Sequence, residues 1–112
     1  MTSDTLPANV QAFISAHIDS VEAVNVLLLI FEQPTREWTA DEVARELRTN
    51  EWSADMYLRV LRTRDLLQAT NGSPTRFRAE PAFTDAVAQL ARTFRERRVA
   101  VIRFIYSRPD SD

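Results

Sequence analysis

The chain has one glycine, Gly72, in 112 residues. Glycine takes positive φ at no steric cost, so a chain almost without it has few places for tight reversals. It also cannot build a glycine-rich phosphate-binding loop. The one place where a reversal is easy lies inside "LLQATNGSPTRFRAEP", residues 66–81. Asn71 and Gly72 supply the positive φ values of a two-residue turn, and Ser73 and Pro74 add further turn chemistry. Beyond it, Thr75, Phe77 and Ala79 alternate with Arg76, Arg78 and Glu80. Period two gives one apolar or small face and one charged face. The expectation is a β-hairpin with Arg76 and Arg78 on its outer side.

Everything else reads as helix. Pro7 can open a first helix, with Val10, Phe13, Ile14 and His17 or Ile18 at helical spacing. Asp19 or Ser20 then caps a second helix over about 21–32. Its run "VNVLLLIF" is apolar nearly all round, which predicts a central helix covered on several sides. Pro34 ends it. Thr39 with Glu42 forms a capping box for a third helix that buries Val43, Ala44 and Leu47. After the break "RTNEW", Ser53 is the expected cap of a fourth helix with Ala54, Tyr57, Leu58, Leu61 and Asp65 along one face. Trp38 and Trp52 bracket the third helix, and both are read as core or partial core. Pro81 starts one long final helix that runs to Tyr106 or Ser107. The fold class is mainly α with a small β-hairpin wing, in a single domain over 1–112. It divides into N-terminal helices (1–37), a helix-turn-helix with wing (38–81) and a long C-terminal helix (82–112).

Composition narrows the function classes. Hydrophobic residues at 45% and charged residues at 27% are ordinary for a globular domain. There is no cysteine, which excludes thiolate chemistry and cysteine-held zinc. The N-terminus lacks a basic region followed by an apolar stretch, so the expected location is the cytoplasm. His17 is the only histidine and is read as a structural or surface residue. No Ser-His-acid set can be assembled, and no acid or histidine cluster has the spacing of a metal site. No enzyme activity, cofactor or metal is expected. Net charge is −2, yet unevenly spread. Residues 1–35 hold four acids and no lysine or arginine, whereas residues 76–108 hold eight arginines against three acids. All 14 basic residues are arginine, the side chain suited to bidentate phosphate or carboxylate contacts.

The stretch "WTADEVARELRTNEWSADMYLRVLRTRDLLQATNGSPTRFRAEP" resembles the winged helix-turn-helix domain of bacterial transcriptional regulators, in particular the MarR-like group. "VARELR" resembles the helix before the turn, "LRVLRTRDLL" the end of a recognition helix, and "ATNGSPTRFR" the wing. Many members have glycine where this chain has Asp65. The resemblance implies duplex DNA as partner, a homodimer, and flanking helices at 1–37 and 82–112 that dimerise.

Placed on that frame, the helical face opposite Ala54, Tyr57, Leu58 and Leu61 carries Asp55, Met56, Arg59 and Thr63, with Arg62 at its edge. Arg59 can reach guanine edges, while Arg62 and Thr63 can contact phosphate. Arg76 and Arg78 of the wing can grip phosphates or enter a minor groove. Glu51 and Asp55 act against this, and so does a pI of about 5.4. The alternative is a winged helix that binds protein and not DNA. In the last helix, Phe83, Val87, Leu90, Phe94, Val101 and Phe104 form a heptad-like seam that lacks a member at Arg97. A straight helix projects Val101, Ile102, Phe104 and Ile105 as an apolar dimer surface. Arg97 and Arg98 are then placed to pair with Asp19 or Glu22. The competing expectation is that the helix bends back and is covered by residues 8–32 of its own chain.

Overall fold

A computed structural model describes residues 6–69, 75–77 and 81–107. The element order is α1 (Ala8–His17), α2 (Val21–Phe31), α3 (Ala40–Leu47), α4 (Glu51–Thr63), β1 (Leu67–Ala69), β2 (Thr75–Phe77), α5 (Pro81–Glu96) and α6 (Arg98–Ser107). The fold is mainly helical with a two-stranded wing, as the periodicities predict. No single described helix is long and apolar enough to cross a membrane.

Local sequence accounts for most boundaries. α1 follows Pro7 and ends at Ile18, whose N–H donates to the Ile14 carbonyl at 2.9 Å. The chain then turns through 109° into α2, where the Ser20 hydroxyl accepts from the Ala23 N–H at 3.1 Å. At α3 the capping box is complete. Thr39 Oγ1 accepts from the Glu42 N–H at 3.2 Å, and Glu42 Oε1 accepts from the Thr39 N–H at 3.0 Å. α4 departs from the expected cap. Asn50 Oδ1 accepts from the Ser53 N–H at 2.7 Å, so Asn50 is the N-cap and the helix begins at Glu51. Asn and Ser cap comparably well; Asn50, which lies in the expected break, takes the role, and Ser53 becomes the capped third residue.

α2 is the middle of the core. Val24, Leu27 and Ile30 are fully buried, with Ala23, Val26 and Leu28 beside them. It touches α3, α4, α5 and β2. Trp38 is core as expected, at 1% exposure, with the Arg36 guanidinium stacked 3.6 Å from its ring centroid. Trp52 is not core: it is 74% exposed. Position 52 lies on the side of α4 opposite Ala54, Leu58 and Leu61, which the expected start at Ser53 leaves out of the helix.

β1 and β2 pair antiparallel, with Leu67 opposite Phe77, Gln68 opposite Arg76 and Ala69 opposite Thr75. The hairpin therefore exists; the Asn71-Gly72 reversal, Arg78 and Glu80 lie outside the described residues.

The C-terminal helix is the main correction. It is two helices, broken at Arg97. The Arg97 N–H still donates to the Thr93 carbonyl at 2.6 Å, and the Val101 N–H to the Arg97 carbonyl at 3.1 Å. Residues 95–98, "RERR", are all exposed, so no buried side chain holds the helix straight there. Beyond the break α6 packs on α1 and α5. Val101 is fully buried and Ile105 nearly so, within the single chain. They are therefore not an uncovered surface for a partner, and the bent-back alternative describes the observed packing. The reason is hydrophobic: a straight helix leaves both side chains in water, whereas a local break hides them against α1. Ile102 and Phe104 are half-buried against the same core.

Val101→Ala should accordingly destabilise the chain by about 2 kcal/mol, from two lost methyl groups plus the cavity. Glu46→Ala, exposed on α3, should stay within about 0.5 kcal/mol. Urea unfolding of the two variants checks this; equal effects would contradict the packing of α6.

Candidate nucleic-acid interface

α3 and α4 are joined by Arg48, Thr49 and Asn50. Arg48 takes the left-handed conformation, φ 59°, and closes α3. The Thr49 N–H donates to the Ala44 carbonyl at 2.9 Å. Asn50 then caps α4. Two helices joined by three residues are a helix-turn-helix. At the far end, Asp65 takes φ 64° and Leu66 N–H donates to the Leu61 carbonyl at 3.0 Å. Asp is one of the few non-glycine residues that accept this region. Asp65 thus does what glycine does at a helix C-terminus, and turns the chain into β1.

α4 is two-faced. Ala54, Leu58 and Leu61 are buried against α2 and α3. On the opposite side Trp52, Met56, Arg59 and Thr63 are exposed. Their spacing of four, three and four keeps them within a narrow stripe along the helix. Asp55 and Arg62 flank it, each half-buried. Of the predicted contact residues, Met56, Arg59 and Thr63 lie together on this stripe, Arg62 at its edge, and Arg76 on β2. Trp52 was missed, although its spacing to Met56 and Arg59 is the signal that finds it once α4 is known to start at Glu51.

The polar members of the stripe are tied down locally. Arg59 Nε donates to Asp55 Oδ2 at 2.9 Å, an exposed i,i+4 pair. The Thr63 hydroxyl donates to the Arg59 carbonyl at 2.9 Å. On α3, Arg45 pairs with Asp41 in the same i,i+4 register. Such exposed pairs contribute little to stability, but they hold the arginines close to the helix surface.

The C-terminal end of α4 is anchored. Arg64 donates to the His17 carbonyl and lies 3.6 Å from Asp19 Oδ2. Asp19 is thus engaged inside its own chain. The His17 ring sits between those of Phe13 and Phe83, with centroids 5.0 and 4.8 Å away. Burial there, and secondarily the Arg64 charge, hold the His17 pKa below its ordinary 6.5. A cleft of about 440 Å³ is lined by Leu28, Leu29, Leu47, Phe94, Arg95 and Arg98, among others. None of the predicted contact residues lines it.

A helix-turn-helix followed by an antiparallel hairpin, carried between flanking helices, is a winged helix-turn-helix. The crystal structure of a MarR family protein of Mycobacterium tuberculosis is similar to it, with a TM-score of 0.58 and 21% sequence identity. The match covers 85% of this chain and 66% of that one. No family model matches the sequence, and no curated protein matches it.

The lowered His17 pKa sets a pH dependence. The folded chain binds fewer protons than the unfolded chain near the histidine range. Stability is therefore full above pH 6.5 and falls as the pH drops through the depressed folded value. Urea midpoints of the wild type should decline below pH 6.5, and His17→Gln should remove that part of the decline. Parallel profiles for the two proteins would contradict it.

Proposed function

We propose that this chain is a DNA-binding transcriptional regulator that acts as a homodimer. α4 enters the major groove and the wing contacts the flanking backbone. The observation that carries the reading is the two-faced α4: its apolar side is seated in the core, and its outer stripe is presented clear of the domain in a winged helix-turn-helix. The M. tuberculosis likeness supports the fold on which this rests. On this reading Arg59 reads a base edge, Arg62 contacts phosphate, Thr63 offers its methyl because its hydroxyl donates to the Arg59 carbonyl, and Arg76 with Arg78 holds the wing to the backbone.

The dimer surface proposed for this fold is the outer side of α6, not Val101 and Ile105. Val99 and Tyr106 are seven residues apart and 61% and 68% exposed, with half-buried Ile102 between them. Apolar side chains aligned on one helix face suit a twofold contact with a second copy. Such a dimer presents two copies of α4 to successive major grooves, about 34 Å apart.

Glu51 and Asp55, at the end of α4 that leads into the groove, favour a second reading in which the same face binds a protein.

Fluorescence anisotropy against a pool of genomic duplexes at low salt separates the two. Binding should fall by about 0.9 log unit per log unit of salt for each phosphate neutralised. Arg76→Ala with Arg78→Ala should weaken all duplexes alike. Arg59→Ala should flatten the preference between duplexes, since a bidentate base contact discriminates by about 1–3 kcal/mol. A complete absence of duplex binding would leave the protein-binding reading.

Oligomeric state is a separate measurement. In sedimentation equilibrium the wild type should be a dimer, and a Val99→Asp, Tyr106→Asp double variant a folded monomer. A wild-type monomer at tens of micromolar would remove the dimer.

A further inference from the structure

The outer stripe of α4 begins with two large apolar side chains that its own chain leaves in water. Trp52 is 74% exposed and Met56 38%. They lie one turn apart at the N-terminal half of the helix, ahead of Arg59. Their polar neighbours are already engaged: Arg59 Nε with Asp55, and the Thr63 hydroxyl with the Arg59 carbonyl. With its hydroxyl turned back, Thr63 has only its methyl left to offer at the far end of the stripe. Asp55 is neutralised by the arginine next to it, which lowers its repulsion toward phosphate. The positive end of the helix dipole lies at the same place.

In the major groove, donors and acceptors are read by polar side chains. The apolar feature there is the 5-methyl group of thymine. A thioether and an indole have little else to recognise in that groove, apart from the single indole N–H donor. We infer that Trp52 and Met56 select thymine through its 5-methyl group, an inference that rests on the DNA reading above. Trp52 supplies a broad flat surface and Met56 an adaptable one. The two positions are about 6 Å apart along the helix axis, from 1.5 Å per residue. That matches about two base-pair steps of 3.4 Å. Arg59 follows about 4.5 Å further on, in reach of a guanine one or two steps beyond. The recognised half-site therefore holds two thymines near each other, followed by a guanine read by Arg59.

The experiment uses the whole chain and duplexes enriched by it from a random pool. Each thymine of the enriched site is replaced singly by deoxyuridine, which keeps the base pair and removes only the methyl group. At two positions about two base-pair steps apart the wild type should lose about fourfold in affinity per methyl, the worth of burying one CH₂-sized group. Trp52→Ala should abolish the loss at one position and Met56→Ala at the other, with the salt slope unchanged. Trp52→Phe should restore most of the first. Both side chains are exposed, so far-ultraviolet circular dichroism of the variants should match the wild type. Duplex binding that is indifferent to uracil at every position overturns the inference and leaves the DNA reading standing. A methyl-dependent loss that persists in the Trp52→Ala, Met56→Ala double variant also overturns it. No binding to any duplex overturns both.

Discussion

The fold depends on one helix that buries more than half of its circumference. In α2, the buried residues Ala23, Val24, Val26, Leu27, Leu28 and Ile30 are spread around the helix axis. An apolar surface of that width cannot be hidden by a single neighbour. It requires α3, α4, α5 and the wing to gather around it, and each of them touches it. At about 25 cal/mol per Å² of apolar surface removed from water, this burial is the main driving force available to a chain with neither disulfide nor metal-binding cysteines. The helix-turn-helix and the wing are positioned by that requirement, because their buried residues, Val43, Ala44, Ala54, Leu58, Leu61 and Leu67, join the same cluster.

α4 shows how a core can present a surface. Its inner side is set by three buried residues, so its outer side is set as well, by the 100° that separates successive positions. The stripe of Trp52, Met56, Arg59 and Thr63 is a geometric consequence of seating Ala54, Leu58 and Leu61. The ends of the helix are held just as closely. Asn50 caps one, and the other is closed by Asp65 in the left-handed region and bound by Arg64 to the α1–α2 corner. A face fixed at both ends and along its back can meet a groove with little loss of conformational freedom on binding.

The flanking helices follow a different rule. The seam of α5 and α6 keeps heptad spacing across Arg97, yet the helix breaks there. Residues 95–98 bury nothing, so breaking the helix at that point loses no core contact, while Val101 and Ile105 gain cover on α1. What α6 then presents outward is its other side, with Val99, Arg103 and Tyr106.

Sequence alone determined the elements whose cause is local. The Thr39–Glu42 capping box, a cap at Asp19 or Ser20, the amphipathic α4 and the period-two strand at residues 75–77 are all decided by neighbours within a few residues. The all-round apolar α2 announced its own burial. The shared outer face of Met56, Arg59 and Thr63 was legible for the same reason, since helical periodicity places them opposite the core residues. Tertiary structure decided what depends on distant partners. Asn50 and Ser53 are both good caps, and only the packed helix chooses between them. With that choice Trp52 moves from core to surface, while Trp38, identical in chemistry, is enclosed by the core with Arg36 over its ring. A heptad seam reads the same whether its partner is a second copy or the chain's own α1. The hydrophobic effect rewards burial without direction, so only the folded chain shows which surface does the covering.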